Sequence, residues 1–133
     1  MPHQERAWSW FDEGVKHFKS EDLPFARSCF NKCVQFMKED FGEQGVGPGI
    51  NRITRELGDI IFGDYYPDDG RKSKGLIFLA DFLKEQNAHS YFTDKLIEMA
   101  NELDLVEQNK SSKDRDTVLH DLGHLFGQMR DQL

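Results

Sequence analysis

Two cysteines and four prolines are all that this chain of 133 residues holds of either. Two cysteines are too few for the multi-bridge framework of a small secreted scaffold. They fit a reducing compartment, and the cytoplasm is the expected location. No apolar run approaches the ~20 residues that a membrane helix requires, so no membrane contact is expected. The opening MPHQERAWSW has neither an apolar core nor a small-residue cleavage site, which argues against a signal peptide. Basic residues are short as well: 17 Lys and Arg stand against 24 Asp and Glu, for a net charge of −7. Phosphate attraction needs a basic face, so an acidic chain is a poor generic nucleic-acid binder. The basic spots at 71–74 and 110–115 are too small to outweigh that field. Strand-like alternation is missing throughout.

What the chain does have is helical periodicity and 11 phenylalanines. The expectation is one all-α domain over 1–133, of about six helices, with an aromatic core. Trp8, Phe11, Val15 and Phe18 recur at helical spacing, and Trp10, Gly14 and His17 form the adjoining stripe. A turn near 20–23 follows, with Pro24 suited to the first turn of the next helix. That second helix carries Ala26, Phe30, Cys33 and Met37 on one face and should end near Asp40. The glycine-rich stretch GEQGVGPG at 42–49 reads as a breaker and flexible connector. A third helix is expected over 50–62, with Ile53, Leu57 and Ile60 or Ile61 facing in. Residues 63–70 read as a loop whose paired tyrosines, Tyr65 and Tyr66, form a lid or cap the core. Leu76, Ile77, Ala80 and Leu83 mark a fourth helix over 73–85. Tyr91, Leu96, Met99 and Leu103 mark a fifth over 90–103. A polar, mobile stretch at 107–113 precedes a sixth helix over 113–130, capped by Ser112, with Val118, Leu122, Leu125, Phe126 and Met129 inward.

The stretch AWSWFDEGVKHFKSEDLPFARSCFNKCVQF resembles a tetratricopeptide repeat. Trp10, Gly14, Ala26 and Phe30 stand at the offsets where that pattern has its tryptophan, first glycine, alanine and aromatic. The resemblance covers residues 7–40. Glu13 replaces the usual leucine, His17 the usual tyrosine and Lys38 the closing proline, as in a degenerate or terminal repeat. Small residues at Gly14 and Ala26 let two helices approach closely, with Trp10, Phe30 and Cys33 filling the space around the contact. The resemblance implies an N-terminal helical hairpin packed on further hairpins, and protein binding along a helical groove. Trp8, Lys16, His17 and Asn31 are the polar and aromatic positions beside the packing stripe, and they are the expected contacts for a peptide or helix.

A second resemblance is chemical. Arg115-Asp-Thr-Val-Leu-His120 resembles the signature of the HEPN ribonucleases, which are small, all-α, commonly dimeric and metal-independent. It implies Arg115 stabilising phosphate charge, Asp116 orienting and His120 transferring a proton. The family more often has asparagine after the arginine. This alternative would make the chain an RNA endonuclease, and only then a nucleic-acid binder. The overlapping His120-Asp-Leu-Gly-His124 is similar to the metal-binding His–Asp step of HD-type phosphohydrolases, with His89 upstream. That family needs a distant later aspartate, which Asp131 is too close to supply. Cys29 and Cys33, four apart like His120 and His124, could complete a Cys₂His₂ metal site across two helices. Burial of both thiols as small apolar residues is the simpler reading. The glycine run lacks a preceding strand and a Gly-Lys-Ser/Thr ending, so it is not a phosphate loop. Asp64, Asp68 and Asp69 lack calcium-loop spacing. The reading is therefore an adaptor or interaction module with no cofactor, its partner another protein or peptide, and a homodimer under the ribonuclease alternative.

Overall fold

The computed structural model describes residues 2–63, 66 and 68–133, the side chains of 2–5 and 69 excepted. It is all-α. Six helices follow in order: α1 (Pro2–Lys19), α2 (Leu23–Phe41), α3 (Glu43–Phe62), α4 (Asp69–Glu85), α5 (Ser90–Glu107) and α6 (Arg115–Gln132). Among the described residues there is no strand, and no helix is long and apolar enough to cross a membrane. The chain falls into two compact units, Met1–Leu57 and Gly58–Leu133, with α3 running through the boundary.

In the first unit α1 and α2 form a hairpin. The reversal is a Schellman turn. The Asp22 N–H donates to His17 O (2.9 Å), the Glu21 N–H donates to Phe18 O (3.1 Å), and Glu21 is left-handed at φ 63°. Such a short link makes the helices antiparallel, and Arg6 on α1 meets Asp40 on α2 at the open end (2.9 Å). Ala7, Phe11, Gly14 and Phe18 are buried, at the 4-3-4 spacing of one helix face. Ala26, Cys29, Phe30, Cys33, Val34 and Met37 answer them from α2. A Cβ on Gly14 would lie only 2.7 Å from Phe30 Cε1. Glycine is therefore what lets the ring seat against the α1 backbone. Each fully buried ring such as Phe18 or Phe30 stabilises the hairpin by about 1.5–3 kcal/mol. Trp10 differs from expectation: it is half-buried at the hairpin's edge, and Phe11 packs on Phe30 instead, ring centroids 6.3 Å apart.

The glycine-rich stretch is the largest departure from the sequence reading. Only Gly42, at φ 73°, interrupts the chain, and α3 starts at Glu43 with Pro48 inside it. Packing overrides propensity here. Gly49 is buried, and a Cβ on it would collide with Met37 Sδ, so the residue that weakens the helix also lets α3 press against α2. Ile53, Leu57, Ile60 and Ile61 are all buried, both isoleucines included.

In the second unit α4 begins earlier than expected. Asp68 caps it, its carboxylate accepting the Arg71 N–H at 2.8 Å. Ser73 lies within the helix and donates to Ala100 O of α5 at 3.3 Å. Lys72 is buried and donates to Ile61 O at 2.7 Å, closing the C-terminal end of α3. Tyr66 is buried, so that tyrosine belongs to the core; Asp64 and Tyr65 lie outside the described residues. Leu76, Ala80 and Leu83 are buried as expected, with Phe78, Leu79 and Phe82 added, while Ile77 is half-buried. On α5, Tyr91 turns outward and Phe92 takes the inward position. The α6 face comprises Val118, Leu122, Leu125, Phe126 and Met129, as the periodicity indicates. Its cap is Asp114, not Ser112. That carboxylate accepts the Thr117 N–H at 2.8 Å, which holds its pKa below the ordinary value.

Candidate functional site

The four contacts expected on the hairpin do not line one groove. Trp8 and His17 are nine residues apart, about 180° around a helix of 3.6 residues per turn. Trp8 belongs to the side that α3 covers. The Arg52 guanidinium from α3 lies 4.0 Å from its ring centroid, and Phe11 meets it edge-on at 5.5 Å. His17 is on the other side, its ring 5.0 Å from that of Phe25 on α2. Glu13 and Asp22 flank the imidazole at 3.6 and 3.7 Å. Lys16 and Asn31 are exposed on the outer faces of their helices, away from either seam.

A different set of residues comes together on the His17 side. Along α1 it runs His17, Trp10, Arg6; along α2 it runs Phe25, Lys32, Phe36. These follow one another at intervals of seven and four residues, or four and seven, which keeps each set on one helix face. They pair across the seam. His17 packs on Phe25, Lys32 Nζ lies 4.3 Å from the Trp10 ring centroid, and Arg6 lies 4.1 Å from that of Phe36. Phe25 is 59% exposed. Arg6 is also paired with Asp40 and Glu39, whereas Lys32 is in no ion pair among the described residues. An ammonium over an indole face is held by the ring quadrupole and stays free to meet a carboxylate. Phe25 lies 100° around α2 from the buried Ala26, so it falls off the core stripe; that offset was the one signal in the sequence.

Beneath this seam are the two thiols. Both are buried and free. Burial pushes the Cys33 thiol up to about 12, and it raises Cys29 as well, with Glu13 contributing second. Protonated thiols are poor metal ligands and poor nucleophiles. Among the described residues no group of three or more His, Cys, Asp or Glu is placed to hold a metal ion.

The chemical motif lies on α6. Arg115 opens the helix, directly after its Asp114 cap, and Arg115, Asp116 and His120 are all exposed. His120 and His124 lie one turn apart with ring centroids 4.7 Å apart. They border an open groove of about 470 Å³ whose other walls include Phe62, Gly123, Gly127 and Asp131. His89 is the left-handed N-cap residue of α5 at φ 51°.

No family model, curated protein or solved structure matches this chain.

Proposed function

We propose that the chain is a protein-interaction module whose docking surface is the aromatic–cation seam of the α1–α2 hairpin. The observation that carries this is the alternation of rings and cations along one flank, with Phe25 exposed and Lys32 held over Trp10 without an ion pair. Its complement is an acidic amphipathic helix or peptide. An apolar side chain would cover Phe25, and a carboxylate one or two turns on would meet Lys32. Of the residues expected from sequence, His17 belongs to this surface; Trp8, Lys16 and Asn31 lie off it. The tetratricopeptide resemblance supports the reading, since repeats of that kind bind proteins on helical faces.

The ribonuclease alternative would use Arg115 and His120, with Asp116 orienting. Those residues belong to a unit with 15 Asp and Glu against 9 Lys and Arg. RNA approaching it meets net repulsion. The docking reading is the better supported.

Selection of a random peptide library on the full-length chain tests it. Enriched peptides should combine an acidic residue with an aromatic or aliphatic one at helical spacing. Their binding should fall at least tenfold in both Phe25→Ser and Lys32→Glu, and hold in His120→Asn. Ligands indifferent to Phe25 and Lys32 would overturn the assignment. RNA cleavage lost in His120→Ala, with the fold intact, would establish the enzyme instead.

A further inference from the structure

His120 and His124 are the two exposed imidazoles of α6. Neither is in a hydrogen bond or ion pair among the described residues. Their spacing of four residues stacks them on one face, one turn apart. Gly123 and Gly127 leave the space beside the rings open, and a Cβ on Gly127 would meet nothing within 4 Å.

We propose that His120 and His124 form an open two-ligand site for a divalent first-row transition-metal ion. The ring geometry supports it. An imidazole nitrogen binds such an ion at about 2.0–2.1 Å, which puts each ring centroid about 3.2 Å from the metal. Two rings at adjacent positions, about 90–100° apart at the ion, then have centroids about 4.5–4.9 Å apart, against about 5.2 Å for a tetrahedral angle. The observed separation is 4.7 Å. A separation this close lets one ion reach both rings, which stand edge to face at 79°. The order of affinity is Cu²⁺ above Ni²⁺, with Zn²⁺ below Cu²⁺. Among the described residues no third protein ligand converges, so water would complete the shell and the ion would exchange readily. The surrounding unit has six more acidic than basic residues, 15 against 9, and that field concentrates divalent cations. The site is on α6 and does not rest on the docking reading of the hairpin.

The test is calorimetric titration of the full-length, metal-free chain with Cu²⁺, Ni²⁺ and Zn²⁺ salts in a non-chelating buffer. A His3→Asn background removes the histidine nearest the amino terminus as a competing ligand. We expect one Cu²⁺ per chain in the micromolar range, with weaker Ni²⁺ and Zn²⁺. His120→Asn and His124→Asn should each lower Cu²⁺ affinity at least tenfold without changing the helical circular-dichroism spectrum. His17→Asn should leave it unchanged. Paramagnetic broadening by Cu²⁺ should be centred on these two imidazole resonances. No saturable binding below millimolar Cu²⁺ sinks the proposal. So does binding that survives both α6 substitutions, or that is lost equally with His17→Asn.

Discussion

Gly14 and Gly127 are both helical glycines, and their surroundings call for opposite responses to the same substitution. A methyl group at Gly14 would press on the Phe30 ring, 2.7 Å from its nearest carbon, and that ring is fully buried and has nowhere to go. Overpacking of this kind costs about 1–3 kcal/mol. The gain in helix propensity from Gly to Ala is only about 1 kcal/mol. Gly14→Ala should therefore lower the urea midpoint. Gly127 faces open space, so Gly127→Ala keeps the propensity gain and should raise stability by up to about 1 kcal/mol. If Gly14→Ala were as stable as the parent chain, the tight crossing of α1 and α2 would be wrong. Cys33 offers a test by pH. In the unfolded chain its thiol titrates near 9.0, while burial in the fold holds the proton to about 12. Between those values the folded state binds more protons than the unfolded one, so stability falls as pH rises. The decline should be shallower in Cys33→Ala, whatever that variant loses at neutral pH. Denaturation midpoints compared across about pH 8 to about pH 11 would show it. The buried thiols of the hairpin were legible from helical spacing, and the small residues at its crossing from the offsets of the repeat it resembles. The docking flank was not. Sequence marks Trp8 and His17 equally as residues beside the core stripe, and the choice between them is made by Arg52, which comes from α3, more than thirty residues away.

At the scale of the element, the helices that end in Schellman turns show how much of a boundary is local chemistry. α1, α4 and α5 each close with an N–H bonded five residues back, and each places a left-handed residue at the turn: Glu21, Asn87 and Asn109. Asparagine adopts that backbone more readily than glutamate, and glycine does so without steric cost. Glu21→Gly should thus stabilise the hairpin by about 1 kcal/mol, since glycine adopts the same φ without steric cost. Thermal melting of the single variant checks it. A lower melting temperature would mean that the Glu21 side chain makes a contact worth more than its strain. The same local chemistry explains which helix ends could be read in advance. α4 closes at Glu85, the end expected for the fourth helix, because Asn87 supplies the left-handed residue. The start of α3 could not be read. Four glycines and a proline within 42–49 state a breaker in every local scale. Gly49 leaves room for Met37 of α2, and that packing becomes visible only once α2 and α3 are in place. The start of α4 and the cap of α6 differ from expectation for a milder reason. Several Ser and Asp residues near each start compete, and it is the hydrogen bonds to the Arg71 and Thr117 N–H groups that select Asp68 and Asp114.

At the scale of the whole molecule, the two units differ in charge as well as in contacts. Met1–Leu57 holds 8 Lys and Arg against 9 Asp and Glu, and Gly58–Leu133 holds 9 against 15. Protein docking is proposed for the near-neutral unit, which opposes an acidic ligand least, and cation binding for the acidic one, whose field draws cations in. Each unit also has its own glycine-to-aromatic contact. Gly14 meets Phe30 in the first, and in the second a Cβ on Gly58 would lie 2.9 Å from Phe126 Cε1, on a buried ring. The pair makes a test of whether the units share one cooperative transition. Compact units with separate cores open as separate blocks, at free energies below that of global unfolding. Gly14→Ala should therefore lower amide hydrogen-exchange protection first in α1 and α2. Gly58→Ala should lower it first in α4, α5 and α6. The readout is peptide-resolved exchange by mass spectrometry under native conditions. Should either substitution lower protection evenly from α1 to α6, the α3 helix would be transmitting unfolding across the boundary at Leu57, and the chain would behave as one cooperative body.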